Sequence, residues 1–250
     1  MSYSCNIWDL LLIIFVSIQT IIISYVYSPE GKAIAMSFPT TFTFATLSLG
    51  NEINTTNVLG LILLFFFIQG IRIMHQKVNI PIIPAIGIGI IGYCSIASFI
   101  VQRIPSNDLF FWVTSFITII FGILLYKIIP CCQESGHRTE LSIWLKVPII
   151  ISVIIFVVLI KKNLSGFMTT FPMVGVITCY EARKSLWTVG RLVPVLILSF
   201  VPVMVFIRIS QQTIGLGSAI VIGWLIFFCI FIPLTIYNGM IPFKKGMKFS

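Results

Sequence analysis

Two short stretches of the chain place hydroxyl side chains around a Phe-Pro pair and finish near a carboxylate. The first, MSFPTTFTFATLSL at 36–49, is followed by Glu52, and the second, MTTFPMVGVITCYE at 168–181, ends on Glu181. Hydroxyls, helix-breaking prolines and unpaired backbone groups can together bind a small polar solute within apolar surroundings. The candidate binding residues are Ser37, Pro39, Thr41, Ser48, Glu52, Thr170, Pro172, Glu181 and Arg191.

The first stretch has a helical pattern of polar residues. At about 100° per residue, four of them fall within about 60° of one another and predict a polar stripe along one helix. These four are Ser37, Thr41, Ser48 and Glu52. Pro39 frees one backbone carbonyl near the start of this helix, and Thr40 or Thr43 could bond it.

The second stretch carries a broken version of the pattern. Thr170 and Glu181 share a helix face, but Val174 and Ile177 lie between them. Two interpretations remain open for the hydroxyls. They line a path or site for a solute where the two stretches meet, or they only bond one another and their own backbone, as Ser and Thr do at helix seams in membranes.

The charged residues near these stretches are predicted at helix ends. Glu52 and Glu181 are expected at the level of the lipid headgroups, and Asp9 at the start of the first apolar run is expected at the interface. Arg191 lies a turn into an apolar run, where it is expected to snorkel or to pair with Glu181.

The composition places all of these residues in a bilayer. The 250 residues are 58% hydrophobic and only 9% charged, with a mean hydropathy of +1.09, whereas a soluble domain has about 25% charged residues. Repeated runs of about 20 apolar residues are typical of transmembrane helices. The net charge of +9 is explained by basic cytoplasmic loops, so no nucleic acid partner is inferred.

The fold class predicted is all-α, a polytopic helical membrane protein of about nine transmembrane helices, since only helices and closed barrels satisfy the backbone in hydrocarbon. The spans are predicted at 8–27, 33–50, 54–74, 80–101, 109–129, 144–160, 164–181, 187–207 and 214–236. The chain, 1–250, is read as a single membrane domain. Its parts are repeat one at 8–101, a linking helix and cytoplasmic loop at 102–143, repeat two at 144–236, and a cytoplasmic tail at 237–250.

The positive charges give this arrangement an orientation. Nine crossings put twelve Lys and Arg residues on one face and four on the other, a bias that marks the richer face as cytoplasmic. The poorer face holds Arg103, Lys161, Lys162 and Arg208. The N-terminus is therefore predicted outside and the C-terminus in the cytoplasm.

The two Phe-Pro pairs also indicate a duplication. Phe38-Pro39 matches Phe171-Pro172 at an offset of 133 residues, and Gly92-Tyr93 matches Gly223-Trp224 at an offset of 131. Spans 1–4 and 6–9 would then be four-helix repeats joined by a central helix. Because five crossings separate their starts, the repeats are inverted, a plan in which paired Pro-interrupted segments mark a binding site.

No motif predicts catalysis. The chain has no H-E-x-x-H, no G-x-S-x-G and no paired intramembrane aspartates, so it is predicted not to be an enzyme and to have no catalytic or metal-binding residues and no cofactor. Three of its six cysteines lie in apolar runs, where a thiol is a small buried hydrophobe.

The segment from Gly166 to Val205, GFMTTFPMVGVITCYEARKSLWTVGRLVPVLILSFVPVMV, resembles the GlpM family of small bacterial inner-membrane proteins. These have about four spans and carry a Gly…Phe-Pro span followed by a helix that ends on a Pro-containing run. The resemblance covers 166–205 and implies a doubled version with an extra helix in a bacterial inner membrane. The family has no established catalytic residues, so no residue role is transferred.

Two functions are compatible with this sequence. The first is a small secondary transporter for a small polar or neutral solute, with the site at the two Phe-Pro segments. The second is a non-transporting scaffold, assembly or regulatory protein. The partners expected are the lipid bilayer, anionic lipid headgroups at the basic cytoplasmic turns and a small solute, and the oligomeric state is not predicted.

Overall fold

The computed structural model describes residues 6–104, 107–130, 134–139 and 143–240, and every regular element in these ranges is a helix. The elements are α1 (Ile7–Tyr25), α2 (Pro29–Met36), α3 (Thr40–Leu49), α4 (Thr55–Gln76), α5 (Ile82–Val101), α6 (Asp108–Ile128), α7 (Ile143–Leu159), α8 (Lys161–Leu164), a 3-10 segment (Ser165–Thr170), α9 (Met173–Glu181), α10 (Leu186–Ile214) and α11 (Leu216–Tyr237).

Within the described residues, six helices are long and apolar enough to cross a membrane. They are α1, α4, α5, α6, α10 and α11. The prediction of a multi-pass helical membrane protein is therefore confirmed. Large apolar side chains on the outer faces of α5, α6 and α11, such as Ile91, Phe116 and Leu225, are more than 60% exposed, as helices that contact lipid require.

The other three predicted spans are not long continuous helices. The span at 33–50 is divided into α2 and α3, and the span at 164–181 is divided into the 3-10 segment and α9. The span at 144–160 corresponds to α7, which has 17 residues and contains Pro148. The divisions fall at Pro39 and Pro172 because proline has no N–H to continue the helical hydrogen bonds.

The predicted stripe of polar residues along one helix is wrong for the same reason. Ser37 is the C-terminal cap of α2, before the break. Glu52 lies beyond Gly50, which ends α3 in a left-handed conformation with φ of 63°. Only Thr41 and Ser48 belong to α3 itself.

Helix α10 is longer than the sequence predicted. The span was expected to end at 207, but α10 continues to Ile214 and ends at Gly215, whose φ is 79°. Most of its side chains are buried, and it packs against α4, α6 and α11. It is thus the central helix of the bundle.

The division into two repeats stays a prediction. The predicted repeat one, 8–101, covers α1 to α5, the predicted linking region covers α6, and the predicted repeat two, 144–236, covers α7 to α11. Residues 241–250 of the predicted tail lie outside the described residues.

The two divided segments run alongside each other between α1, α4 and α10. Helix α2 contacts α9, and α3 contacts the 3-10 segment. The first part of each divided segment thus contacts the second part of the other segment. We call this contact the seam.

The wall of the seam formed by α4 depends on a glycine. A Cβ added at Gly60 would lie 1.8 Å from Thr170 Oγ1, whereas one added at Gly70 on the same helix would meet nothing within 4 Å. We expect Gly60→Ala to destabilise the fold by about 1–3 kcal/mol through overpacking, and Gly70→Ala to be neutral or slightly stabilising.

Thermal unfolding of the purified protein in detergent would measure both effects. Adding Thr170→Ala to Gly60→Ala removes the overlapping oxygen and should restore part of the loss. Equal stability of the two glycine variants would contradict the close approach of α4 to the 3-10 segment.

Candidate functional site

The two Phe-Pro breaks border one cavity at the middle of the seam, with a volume of about 60 Å³. The first break contributes Ser37, Phe38 and Thr41, and the second contributes Thr169 to Pro172. Apolar side chains from α4 and α10 close the sides, among them Leu61, Leu64, Leu196 and Phe200. The structure therefore brings together four of the predicted site residues at one place, namely Ser37, Thr41, Thr170 and Pro172.

The first break is stabilised by a residue that the sequence did not point to. Gln19 on α1 donates from Nε2 to the Ala35 carbonyl oxygen at 2.7 Å, and Thr40 donates from its hydroxyl to Gln19 Oε1. Thr43 bonds the Pro39 carbonyl at 2.8 Å. The carbonyl one turn before Pro39 was expected to bond Thr40 or Thr43, and its partner is Gln19 instead.

The second break is held against α4 and α5. Asn57 on α4 donates from Nδ2 to Thr169 Oγ1 at 3.0 Å. The Tyr93 hydroxyl on α5 donates to the Phe167 carbonyl at 3.0 Å and lies 3.3 Å from Thr170 Oγ1. Each of the side chains of Asn57, Thr169, Tyr93 and Thr170 has a hydrogen-bond partner within the protein, so together they form a fixed wall.

Both breaks turn a helix N-terminus towards the cavity. In α3 the Thr43 N–H donates to the Pro39 carbonyl at 3.0 Å, and in α9 the Val176 N–H donates to the Pro172 carbonyl at 2.8 Å. The N–H groups before these, including those of Thr41 and Val174, belong to first turns, which have no intrahelical acceptor. The positive ends of two helix dipoles therefore meet at one cavity.

Thr41 adds a hydroxyl to these donors. Its Oγ1 is buried and has no hydrogen-bond partner among the described residues. The other hydroxyls of the cavity are engaged; Ser37, for example, donates to the Ala33 carbonyl at 2.8 Å. Thr41 is thus the side chain best placed to bond a molecule in the cavity.

Each divided segment accepts a hydrogen bond from an aromatic side chain of the other half of the chain. Tyr93, on α5 of the first half, bonds Phe167 and Thr170 of the second. Trp224, the matching residue on α11 of the second half, donates to Thr43 Oγ1 of the first at 2.9 Å. Each of the two residues thus bonds the divided segment of the other half, Tyr93 before the Phe-Pro pair of that segment and Trp224 after it.

At one end of the seam lies a buried ion pair, which we call the Asp9 cluster: Asp9, Ser48 and Lys161. The Lys161 ammonium is 2.8 Å from both Asp9 carboxylate oxygens and 3.2 Å from Ser48 Oγ, and Ser48 also donates to Asp9. Only 1% of the Asp9 side chain is exposed. Residues of α3 and α8 thus cover Asp9, and its expected position at the membrane interface stays a prediction.

At the other end lies the Glu181 cluster: Lys32, Thr139 and Glu181. The Lys32 ammonium donates to the Glu181 carbonyl at 2.7 Å and to the His137 carbonyl, and Thr139 donates to the Glu181 carboxylate. Glu181 and Lys32 are fully buried. Glu181 was expected to be solvated at the level of the lipid headgroups, and the expectation of solvation is wrong.

His137 contacts this cluster through its backbone and carries little charge. Burial, followed by the charges of Arg183, Lys184 and Lys32, lowers the pKa of its imidazole, against a smaller opposite effect of Glu181. The imidazole is consequently neutral at pH 7, and the positive charge at this end belongs to lysine and arginine side chains.

Five of the nine predicted site residues do not line the cavity: Pro39 forms the first break, Ser48 and Glu181 belong to the two clusters, and Glu52 and Arg191 lie elsewhere. Glu52 is exposed and pairs with Arg208 at 2.9 Å, and the same guanidinium lies 2.7 Å from Asp108. Arg191, expected to snorkel or to pair with Glu181, is buried on α10 and bonds the Asn238 side chain from Nε at 3.0 Å. Each arginine thus connects the ends of different helices through its hydrogen bonds.

The sequence missed residues that depend on distant partners. Lys32 lies seven residues before Pro39, about two helical turns, and this position was the available signal. Gln19 lies within the apolar helix α1, twenty residues before Pro39, and the sequence carries no comparable signal for it. Within the described ranges, no group of three or more His, Cys, Asp or Glu residues could hold a metal ion.

Comparisons with protein-family models, with curated proteins and with solved structures find no match to this chain. The resemblance of residues 166–205 to the GlpM family therefore stays a prediction.

Gln19 offers a test of the first break. Replacing it with Leu leaves the Ala35 carbonyl without its donor, so we expect Gln19→Leu to destabilise the protein by about 1–3 kcal/mol, the cost of an unsatisfied buried polar group. The matched control is Gln102→Leu, because Gln102 is exposed at the end of α5. Thermal unfolding in detergent would compare them, and equal stability would show that Gln19 does not hold the break.

Proposed function

We propose that this chain is a small secondary transporter that carries a small polar or neutral solute through the seam between its two divided segments. The observation that carries the proposal is the cavity at which both breaks meet. Discontinuous helices whose ends face a common site are a recurrent plan for solute binding in transporters.

The polar groups and the walls of the cavity indicate which class of solute it would bind. The donors available at its lining are the Thr41 hydroxyl, which has no partner among the described residues, and the first-turn N–H groups of Thr41 and Val174, which have no intrahelical acceptor. The Met173 N–H, by contrast, already donates to the Phe171 carbonyl at 2.7 Å. The walls are otherwise apolar and aromatic, and none of the described residues that line the cavity is charged. A compact solute with a hydrogen-bond acceptor and little or no net charge fits this set of donors best.

The polar contacts at the helix ends support nine crossings with inverted repeats. Each joins residues that nine crossings put at the same face of the membrane. At the predicted outer face these are Asp9 with Lys161 and Arg208 with Glu52 and Asp108, and at the inner face Lys32 with Glu181, Glu134 with Thr188, and Arg191 with Asn238. The exchanged contacts of Tyr93 and Trp224 support the duplication.

The location that we propose is a bacterial inner membrane with the N-terminus outside and the C-terminus in the cytoplasm, as the charge bias and the GlpM resemblance imply. The basic inner face would contact anionic lipid headgroups. The alternative function, a scaffold, assembly or regulatory protein, requires a dry seam.

Water in the seam separates transport from a scaffold role. In a background without native cysteines, we expect Thr41→Cys and Thr170→Cys to react with a small water-soluble thiol reagent added from at least one side of the membrane. Ala45→Cys is the matched control, because Ala45 lies one turn after Thr41 on α3 and is fully buried. It should stay unlabelled.

Labelling at the two threonine positions but not at residue 45 would support a hydrated route. If all three positions stay unlabelled from both sides, the seam is dry and the scaffold function replaces the transporter.

The crossing of α7 and of the second divided segment is tested separately. Asn163 and Lys184 are both exposed and lie at either end of that segment. We expect Asn163→Cys to react only with impermeant reagent added outside and Lys184→Cys only with reagent added on the cytoplasmic side. Labelling of both from one side would mean that the segment does not cross, which would remove the inverted repeat.

A further inference from the structure

The two clusters at the ends of the seam are built in the same way. Each contains a lysine and a residue at or near the C-terminal end of a divided segment; Lys32 lies within the first divided segment, and Lys161 lies just before the second. Lys32 on α2 binds the last residue of α9, Glu181, and Lys161 on α8 binds Ser48 near the end of α3. Ser48 and Glu181 are related by the same offset of 133 residues as the two Phe-Pro pairs.

Each cluster also includes a residue at the start of the helix that precedes a divided segment. Asp9 is in the first turn of α1 and accepts from Ser48. Thr139 lies just before α7 and donates to Glu181. The roles of acid and hydroxyl are thus exchanged between the clusters. The residues lie in similar places but not at one offset, since Asp9 and Thr139 are 130 residues apart and Lys32 and Lys161 are 129 apart.

The clusters lie on opposite sides of the cavity. Eight residues separate Ser48 from Thr40, the first residue of α3, and eight separate Glu181 from Met173, the first residue of α9. At 1.5 Å per residue each cluster lies about 12 Å along a helix from a break. Because α2 contacts α9 while α3 contacts the 3-10 segment, the two helices lead away from the cavity in opposite directions.

We propose that the Asp9 cluster and the Glu181 cluster are the outer and inner gates of the seam, which open in alternation. This inference rests on the proposed transport function. The seam cannot separate at one end without breaking the bonds of the lysine there, and the bonds of the other lysine hold the opposite end closed. Breaking one cluster therefore admits water to the cavity from that side alone.

The burial of these charges raises the free-energy cost of opening a gate. Asp9 and Lys32 are at most 1% exposed, and the Lys32 ammonium bonds the carbonyl of Glu181, the last residue of α9, where a cation is stabilised by the helix dipole. A buried charge that loses its partner is strongly unfavourable until water reaches it. Separation of the lysine and entry of water must therefore occur together.

The test uses Thr41→Cys as the reporter in the cysteine-free, full-length protein in oriented membranes. Asp9→Asn with Lys161→Met removes the outer ion pair without leaving a buried charge. We expect this variant to raise the rate of labelling from outside at least about tenfold relative to the rate from inside, and Lys32→Met to do the reverse. Such a change corresponds to a shift of about 1.4 kcal/mol between the two open states.

Two controls separate gating from general loosening. Asp108→Asn removes an exposed ion pair at the same end as the Asp9 cluster but away from the seam, and it should leave both rates unchanged. The exchanged pair Asp9→Lys with Lys161→Asp restores opposite charges and should return the rates towards those of the parent.

The outcomes distinguish the gates from the transport proposal. If Thr41→Cys is labelled in the parent and neither cluster variant changes the ratio of outside to inside rates, the gates are wrong and a hydrated route stands. An equal rise on both sides in either variant also overturns the gates. If no variant is labelled from either side, both proposals fail.

Discussion

The whole arrangement depends on the need to satisfy backbone polar groups inside hydrocarbon, where water cannot do so. Two prolines, Pro39 and Pro172, interrupt helices in the middle of the protein and leave donors and acceptors without intrahelical partners. A break of this kind persists only where other parts of the protein supply bonds. Gln19 does so for the first break and Asn57 for the second, and the remaining donors face the cavity.

Each break also receives a hydrogen bond from the other half of the chain. Thr43 of the first half accepts a bond from Trp224 of the second, and the Phe167 carbonyl of the second accepts one from Tyr93 of the first. Residues of both halves line the cavity between the breaks, so the cavity depends on the contact between the two halves.

The sequence predicted the helical membrane class and the meeting of the two Phe-Pro segments because composition and proline chemistry are local properties. It did not predict the surroundings of Asp9, whose partner Lys161 is 152 residues away. Nor did it predict that α10 continues past Arg208: Gln211 and Gln212 looked like a loop, yet Gln211 is buried and accepts a bond from the Ile53 N–H. Hydropathy assigns charged and amide residues to helix ends, whereas tertiary contacts decide which of them are buried.

Burying Lys32 and Asp9 has a cost that apolar residues of similar size would avoid, so stability alone is a poor reason to retain them. Their arrangement offers a better one. Each end of the seam is closed by a few directional bonds, which are lost together when helices separate, whereas an apolar contact weakens gradually. Because each cluster contains one lysine and one buried carboxylate residue, opening at either end breaks a comparable set of bonds. Two such states of similar free energy are what a protein needs if it is to expose one site to each side in turn, since neither state then traps the solute.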